Sequence, residues 1–207
     1  MAALLLVGMA AGLLIAQSRP SPDAAAPAPD SVDVGFSQDM TAHHRQAVRM
    51  AGIVRDSTTD LAIKQIAFDI ETNQLEQIGR MQGWLNLWGR DPLPVNGYMA
   101  WMGSAAALHG HSTSPGGALA AMPGMATDAE LTRLQQATGR DQDVLFLQLM
   151  LRHHQGGLVM IRYAAEHAEI GVVRNLAAQM SVAQTNEVDL LTSMLAQRGA
   201  APLPAPS

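Results

Sequence analysis

Two short runs carry the residue types best suited to hold a soft metal ion: Met40, His43 and His44, and again Met150, His153 and His154. The second set follows the first in register at an offset of 110 residues, and Met50 recurs as Met160 under the same offset. Imidazole and thioether without thiolate favour copper, Cu(I) through Met and Cu(II) through His, whereas zinc or another divalent metal would use the histidines alone. The sequence contains no cysteine, so disulfides and thiolate sites are excluded.

Helical geometry decides which of these groups could act together. Adjacent residues point about 100° apart, so His43 and His44 are expected to straddle a core boundary rather than both face one axis. Met40 precedes His43 by three residues and His44 by four, and can lean toward either ring. Asp39 sits one turn from His43, as an oxygen ligand or as the acceptor that orients a ring. Met50 shares the face of His43 but lies roughly 10 Å further along the axis, so Met50 and Met160 belong to a second layer or simply to the core. Glu187 is the best single candidate for an added carboxylate, although a surface pairing with arginine would explain it equally. Met122 and Met125, with His109 and His111, could form a second and looser soft-metal site or merely decorate a loop. For the whole set the plain alternative is structural: duplication copies a hydrogen-bonded histidine pair as readily as a ligand set.

The elements that must position these residues are helical. Residues 36–55 and 61–88 carry apolar residues at three- and four-residue steps (Phe36, Met40, Ala47, Met50, Val54; then Ile63, Ile66, Ile70, Leu75, Ile78, Met81, Leu85), predicting two antiparallel helices. Asp33 or Ser37 could cap the first, and Gly89 and Pro92 end the second. Residues 89–126 are rich in Pro, Gly, Ser and His around an apolar knot of Tyr98, Met99, Trp101 and Met102, as in a crossover or functional loop. Thr127 and Glu130 form a capping-box pattern opening a short helix that ends at Gly139. Helices over about 141–167 and 171–198 complete the set. Ile66, Gln74, Ile78 and Leu85 fall on Leu176, Gln184, Val188 and Leu195 at the same offset, so each half is a helical hairpin. Met81, Met180 and Met194 read as flexible core filler. Two hairpins with one apolar face each predict an all-α, four-helix bundle over 34–198, with halves at about 36–88 and 141–198 and a crossover at 89–140.

Composition narrows the function. At 207 residues with 48% hydrophobic content the chain can bury one good core. A net charge of -5 and a single lysine, Lys64, leave no basic stripe for nucleic acid. Residues 2–16 are an uncharged apolar run that would reach only ~22 Å as a helix, against roughly 30 Å of hydrocarbon. Residues 1–18 therefore read as a signal peptide or membrane anchor, with 19–33 a Pro/Ala-rich tether and 199–207 a Pro-rich tail. The protein is expected to work outside the cytoplasm, secreted, periplasmic or held at the membrane by this segment if it stays uncleaved. No Glu is followed by His three residues on, as a di-iron bundle oxidase would need, and no zinc-protease or serine-hydrolase motif occurs. No catalytic nucleophile is identified.

The chain resembles the bacterial proteins catalogued as domain of unknown function 305. The resemblance spans residues 34–198 and rests on Asp39-Met40 with His43-His44 and Gln46-Ala47, on the run from Met122 to Thr127, and on Phe146 and Met150 with His153-His154 and Gly156. It implies a ferritin-like helical bundle, usually exported or membrane-tethered, with some relatives associated with copper in the cell envelope. Carried over, the suspected ligands are His43, His44, His153, His154, Met40 and Met150. The family pattern also places Gln-x-x-Glu on the second helix of each half. Gln184 and Glu187 match it, but the first half has Gln74 and then Gln77, with Glu76 one place early. The expected function is copper sequestration or delivery without catalysis. The alternatives are an envelope interaction module with structural histidines and a partner protein, or a redox enzyme using the same ions.

Overall fold

The computed structural model describes residues 26–95, 97–103 and 119–204. Five α-helices form: α1 (Val32–Ser57), α2 (Leu61–Leu87), α3 (Asp128–Gln136), α4 (Gly139–His167) and α5 (Gly171–Gln197), with a 3-10 turn at Ala100–Met102. Among the described residues there is no strand, only an isolated bridge between Tyr98 and Leu119. No described helix is long and apolar enough to cross a membrane; the N-terminal apolar run, His109 and His111 lie outside the described residues.

Helices α2 and α5 begin where the apolar periodicity predicts, whereas α1 and α4 begin a few residues earlier and α3 ends at Gln136 rather than at Gly139, which opens α4. Ser31, not Asp33 or Ser37, caps α1 by accepting from the Val34 N–H at 3.3 Å. Asp33 is instead buried and accepts the N–H groups of Glu169 (3.1 Å) and Ile170 (2.9 Å), at the positive N-terminal end of α5. The capping box of α3 forms as expected, Thr127 accepting from the Glu130 N–H at 3.2 Å while the Glu130 carboxylate takes the Thr127 N–H at 2.8 Å. Glu130 then grips Arg152 of α4 through two bonds of 2.9 and 2.7 Å. The guanidinium holds its carboxyl down at about 2.

Three-residue links at 58–60 and 168–170 make α1–α2 and α4–α5 antiparallel hairpins, and the hairpins meet chiefly through α1 against α4. Offset partners take equivalent places: Phe36 and Phe146, Ala67 and Ala177, and Leu85 and Leu195 are all buried. The apolar interior falls into two clusters. One gathers Met50, Val54, Ile63, Ile70, Phe146, Met150 and Leu195, and the other Phe36, Met40, Met81, Met160, Leu176 and Met180. Along every long helix the residues between the clusters are polar: His43 and His44, Gln74 and Gln77, His153 and His154, Gln184 and Glu187. A polar layer thus divides the core at mid-height.

The end of the crossover closes one side of this layer. Gln46 exchanges two hydrogen bonds with the Ala126 backbone, at 2.9 and 2.7 Å. Gly124 takes φ +80°, and a Cβ there would stand 2.4 Å from the Arg152 carbonyl oxygen. A Cβ on Gly156 would stand 2.1 Å from the Pro123 oxygen, so backbone meets backbone and nothing larger than glycine fits. Replacing Gly156 with Ala is therefore expected to lower stability by about 1–3 kcal/mol through overpacking, even though Ala favours helix by about 1 kcal/mol. Gly79→Ala, whose Cβ meets nothing within 4 Å, is expected to raise stability by about 0.5–1 kcal/mol. Urea midpoints of the two variants check both signs.

Candidate metal centre

Within the polar layer the adjacent histidines divide their work. His43 turns into the seam between α1 and α4, where its ring lies on that of His153 with centroids 3.7 Å apart and planes at 34°. His44, rotated toward α2, places Nε2 2.7 Å from Gln77 Oε1. The second half repeats this: His153 directs Nε2 to the His43 carbonyl at 3.1 Å, and His154 directs Nε2 to Glu187 Oε2 at 2.6 Å. Centroid spacings of 6.3 Å for His43–His44 and 6.2 Å for His153–His154 link the four rings as successive neighbours, His44, His43, His153 and His154. None straddles a core boundary, since all four are at most 1% exposed. The second helix of each hairpin shields the histidine that points away from the seam.

These partners set the tautomers. A carboxamide oxygen, a backbone carbonyl and a carboxylate can only accept, so His44, His153 and His154 donate from Nε2, which in the neutral rings of His44 and His153 leaves a bare lone pair on Nδ1. Those three Nδ1 atoms and both ring nitrogens of His43 are buried without a partner. An unsatisfied buried polar atom costs about 1–3 kcal/mol, and five in one layer of a well-filled bundle mark a place where something else belongs. Imidazoles oriented through one nitrogen with the other left bare are the usual arrangement of a metal-binding histidine. Burial also favours the neutral form of His43, His44 and His153. It pushes His44 down to about 4 despite the Gln77 bond. Burial, reinforced by the neighbouring histidines, holds His43 and His153 well below the ordinary imidazole value. The Pro123 carbonyl opposes this at His43 without reaching hydrogen-bond geometry.

The methionines border the layer from opposite sides. Met40 lies in one apolar cluster and Met150 in the other, and the deeper Met160 and Met50 join them crosswise, Met160 with Met40 and Met50 with Met150. Met122 is buried beside Met40, and Met125 is half-buried against the same cluster. Asp39 stands apart from the rings. Its Oδ2 accepts the Met99 N–H at 2.6 Å and the Trp101 indole N–H at 2.7 Å, tying the 3-10 turn to α1. Burial pushes that carboxyl up to about 6 against the pull of those two bonds. Glu187 does turn inward, onto His154. Its offset partner Gln77 makes the matching contact, and Gln46, Gly156 and Gly157 shape the surroundings; sequence reasoning had not given these residues a role. The signal was present for Gln77, since the 110-residue offset sets it on Glu187 and an amide oxygen accepts as a carboxylate does. Among the described residues, no three His, Asp or Glu converge into a ready-made ligand cage.

The sequence profile described as "Domain of unknown function (DUF305)" matches residues 33–195. The chain belongs to the DUF305 family. Among solved structures, a DUF305 protein of Streptomyces coelicolor described as a candidate secreted protein is 40% identical, with 85% of this chain and 99% of that one covered and a TM-score of 0.75. A DUF305 fragment from Deinococcus radiodurans is 28% identical, covering 80% of this chain and 96% of that one at a TM-score of 0.63. CopM, solved in a Cu(I)-bound form, is 22% identical over 80% of this chain and 96% of its own, with a TM-score of 0.58, and shares the fold. No curated protein matches the chain.

The neutral histidines link stability to pH. In the unfolded chain each of these three imidazoles takes up a proton near 6.5, whereas in the folded bundle His44 does so only near 4 and His43 and His153 well below 6.5. Between those limits the unfolded state binds more protons, so stability is full above 6.5 and is lost as pH falls, by about 1.4 kcal/mol per pH unit for each histidine. Denaturant midpoints of metal-free protein from pH 7.5 to 4.5 are expected to show this slope. His44→Gln is expected to flatten it by one proton.

Proposed function

We propose that this chain is a copper-binding bundle working outside the cytoplasm, where it sequesters or delivers the metal and catalyses no reaction. The observation that carries the reading is the row of four buried histidines, three of them pinned through Nε2 with Nδ1 unpartnered. These donors fit copper: imidazole suits Cu(II), and the thioethers of Met40 and Met150, which border the layer, suit Cu(I). The copper-bound forms of CopM support the choice of metal. The description of the Streptomyces relative supports an extracytoplasmic setting. Successive ring centroids 6.3, 3.7 and 6.2 Å apart leave these donors close enough to converge on one ion through side-chain rotation.

A second reading is favoured by one feature. The His43 and His153 rings lie face against face at 3.7 Å, and no cage is preformed among the described residues, so the layer would serve as a polar register that fixes how the hairpins meet. Titration of the domain with Cu(I), Cu(II) and Zn(II) against competing chelators separates the two. Tight stoichiometric copper binding is expected, lost when His43, His44, His153 and His154 are all changed to Ala while circular dichroism still reports a helical fold. Loss of helicity with no copper bound by the parent protein would establish the structural reading. Because burial keeps His43, His44 and His153 neutral well below 6.5, copper affinity is expected to hold at pH 6 and to fall only as pH approaches about 4.

A further inference from the structure

The histidine row is sealed on one side and open on the other. On the α1–α4 side, Pro123 and Gly124 press on Gly156 and Arg152, and Gln46 clasps Ala126. On the opposite side α2 and α5 pack on their own hairpin partners and hardly on each other. Between them lies a cleft of about 180 Å³. Its inner wall holds Gln74, Gln77, Gln184 and Glu187, and Arg80 and Ala183 stand further out.

Three observations join this cleft to the histidines. Gln77 and Glu187 face the cleft and also accept from His44 and His154. Gln74 and Gln184, offset partners and each only 3% exposed, line it with atoms that have no hydrogen-bond partner: both carboxamide atoms of Gln74 and Oε1 of Gln184. Gly157 lets the cleft wall and the histidines come close, since a Cβ there would stand 2.9 Å from His43 Cε1. The place its Cβ would occupy is 3.3 Å from Gln184 Oε1 and 3.5 Å from His43 Nδ1, two unpartnered atoms bordering one small space.

We infer that this cleft is the port through which the ion reaches the histidine row, with Gln74, Gln77, Gln184 and Glu187 as an oxygen-lined vestibule. The inference rests on the copper reading and gives it a direction. A hydrated cation sheds water stepwise when oxygen donors replace its shell, and carboxamide and carboxylate oxygens are the donors that do so before softer ligands take over. The Glu187 carboxylate draws a cation toward His154, and the Arg80 guanidinium, which lines the same cleft, is offset by its pairing with Glu76 at 3.4 Å.

The absence of cysteine makes the port testable. Ala183 lines the cleft and is half-buried. Ala183→Cys would be capped either with a methylthio group or with a bulky maleimide, so that neither derivative offers a free thiol. Mixing with aqueous Cu(II) in stopped flow is expected to show capture about tenfold slower under the bulky cap, with equal final stoichiometry. Hydrogen–deuterium exchange at the imidazole carbon of His44 and His154, followed by mass spectrometry without metal, is expected to slow under the same cap. Equal exchange under both caps overturns the port whether or not copper binds. Unequal exchange in a protein that captures no copper keeps the route and removes the copper reading. Equal capture rates with unequal exchange show that the ion enters elsewhere, and overturn it as well.

Discussion

Everything in this bundle answers to one constraint: a layer of imidazoles sits where a four-helix core should be apolar. Neutral rings in a low-dielectric interior need acceptors for their N–H groups. The structure supplies one from each available source: a carboxamide (Gln77), a carboxylate (Glu187) and the backbone carbonyl of His43. The carbonyl is the unusual choice. An α-helical C=O normally belongs to the N–H four residues on, yet at the seam it also receives the ring of the facing helix, so α1 and α4 are locked at one register. The two methionine-bearing clusters above and below can then be filled with flexible side chains without loss of alignment.

Duplication explains how such a layer arises, and its departures explain how its two sides came to differ. The offset sets Gln46 on Gly156 and Ala47 on Gly157. Gln46 reaches out to hold Ala126, whereas Gly156 gives up its side chain so that Pro123 can lie on α4. A symmetric molecule would need two such loops; one crossover serves because the halves differ at this pair. Gly157 likewise leaves room beside His43 that a Cβ would fill at 2.9 Å from its Cε1. These substitutions give the layer one sealed side and one open side.

The helices, hairpins, short capped helix and crossover were legible because each rests on local chemistry: apolar spacing, capping residues and glycine or proline stops. The capping box of Thr127 and Glu130 could be read directly. The cap of α1 could not, because Asp33 suits that position by type and is claimed by the backbone of residues 169 and 170, a contact 136 residues away that no local pattern encodes. Asp39 was read as a metal-side carboxylate for the same reason, and the structure spends it on Met99 and Trp101. The histidines were found by repetition. Their complete burial was not, since a helical wheel knows only one axis, and His44 is covered by the second helix of its own hairpin rather than by the bundle centre.

The inequality of Gln77 and Glu187 carries the last step. Both accept from a histidine at nearly the same distance, 2.7 and 2.6 Å, so the hydrogen-bonded geometry is preserved while the charge is not. A neutral amide partners His44 and a carboxyl group partners His154, and the two face the same cleft between α2 and α5. The halves therefore match in hydrogen-bond geometry and differ in electrostatics, a difference that a low-dielectric surrounding magnifies relative to water. Breaking the symmetry at one atom, nitrogen for oxygen, makes the two histidine pairs chemically unequal, and it needs no change in the fold.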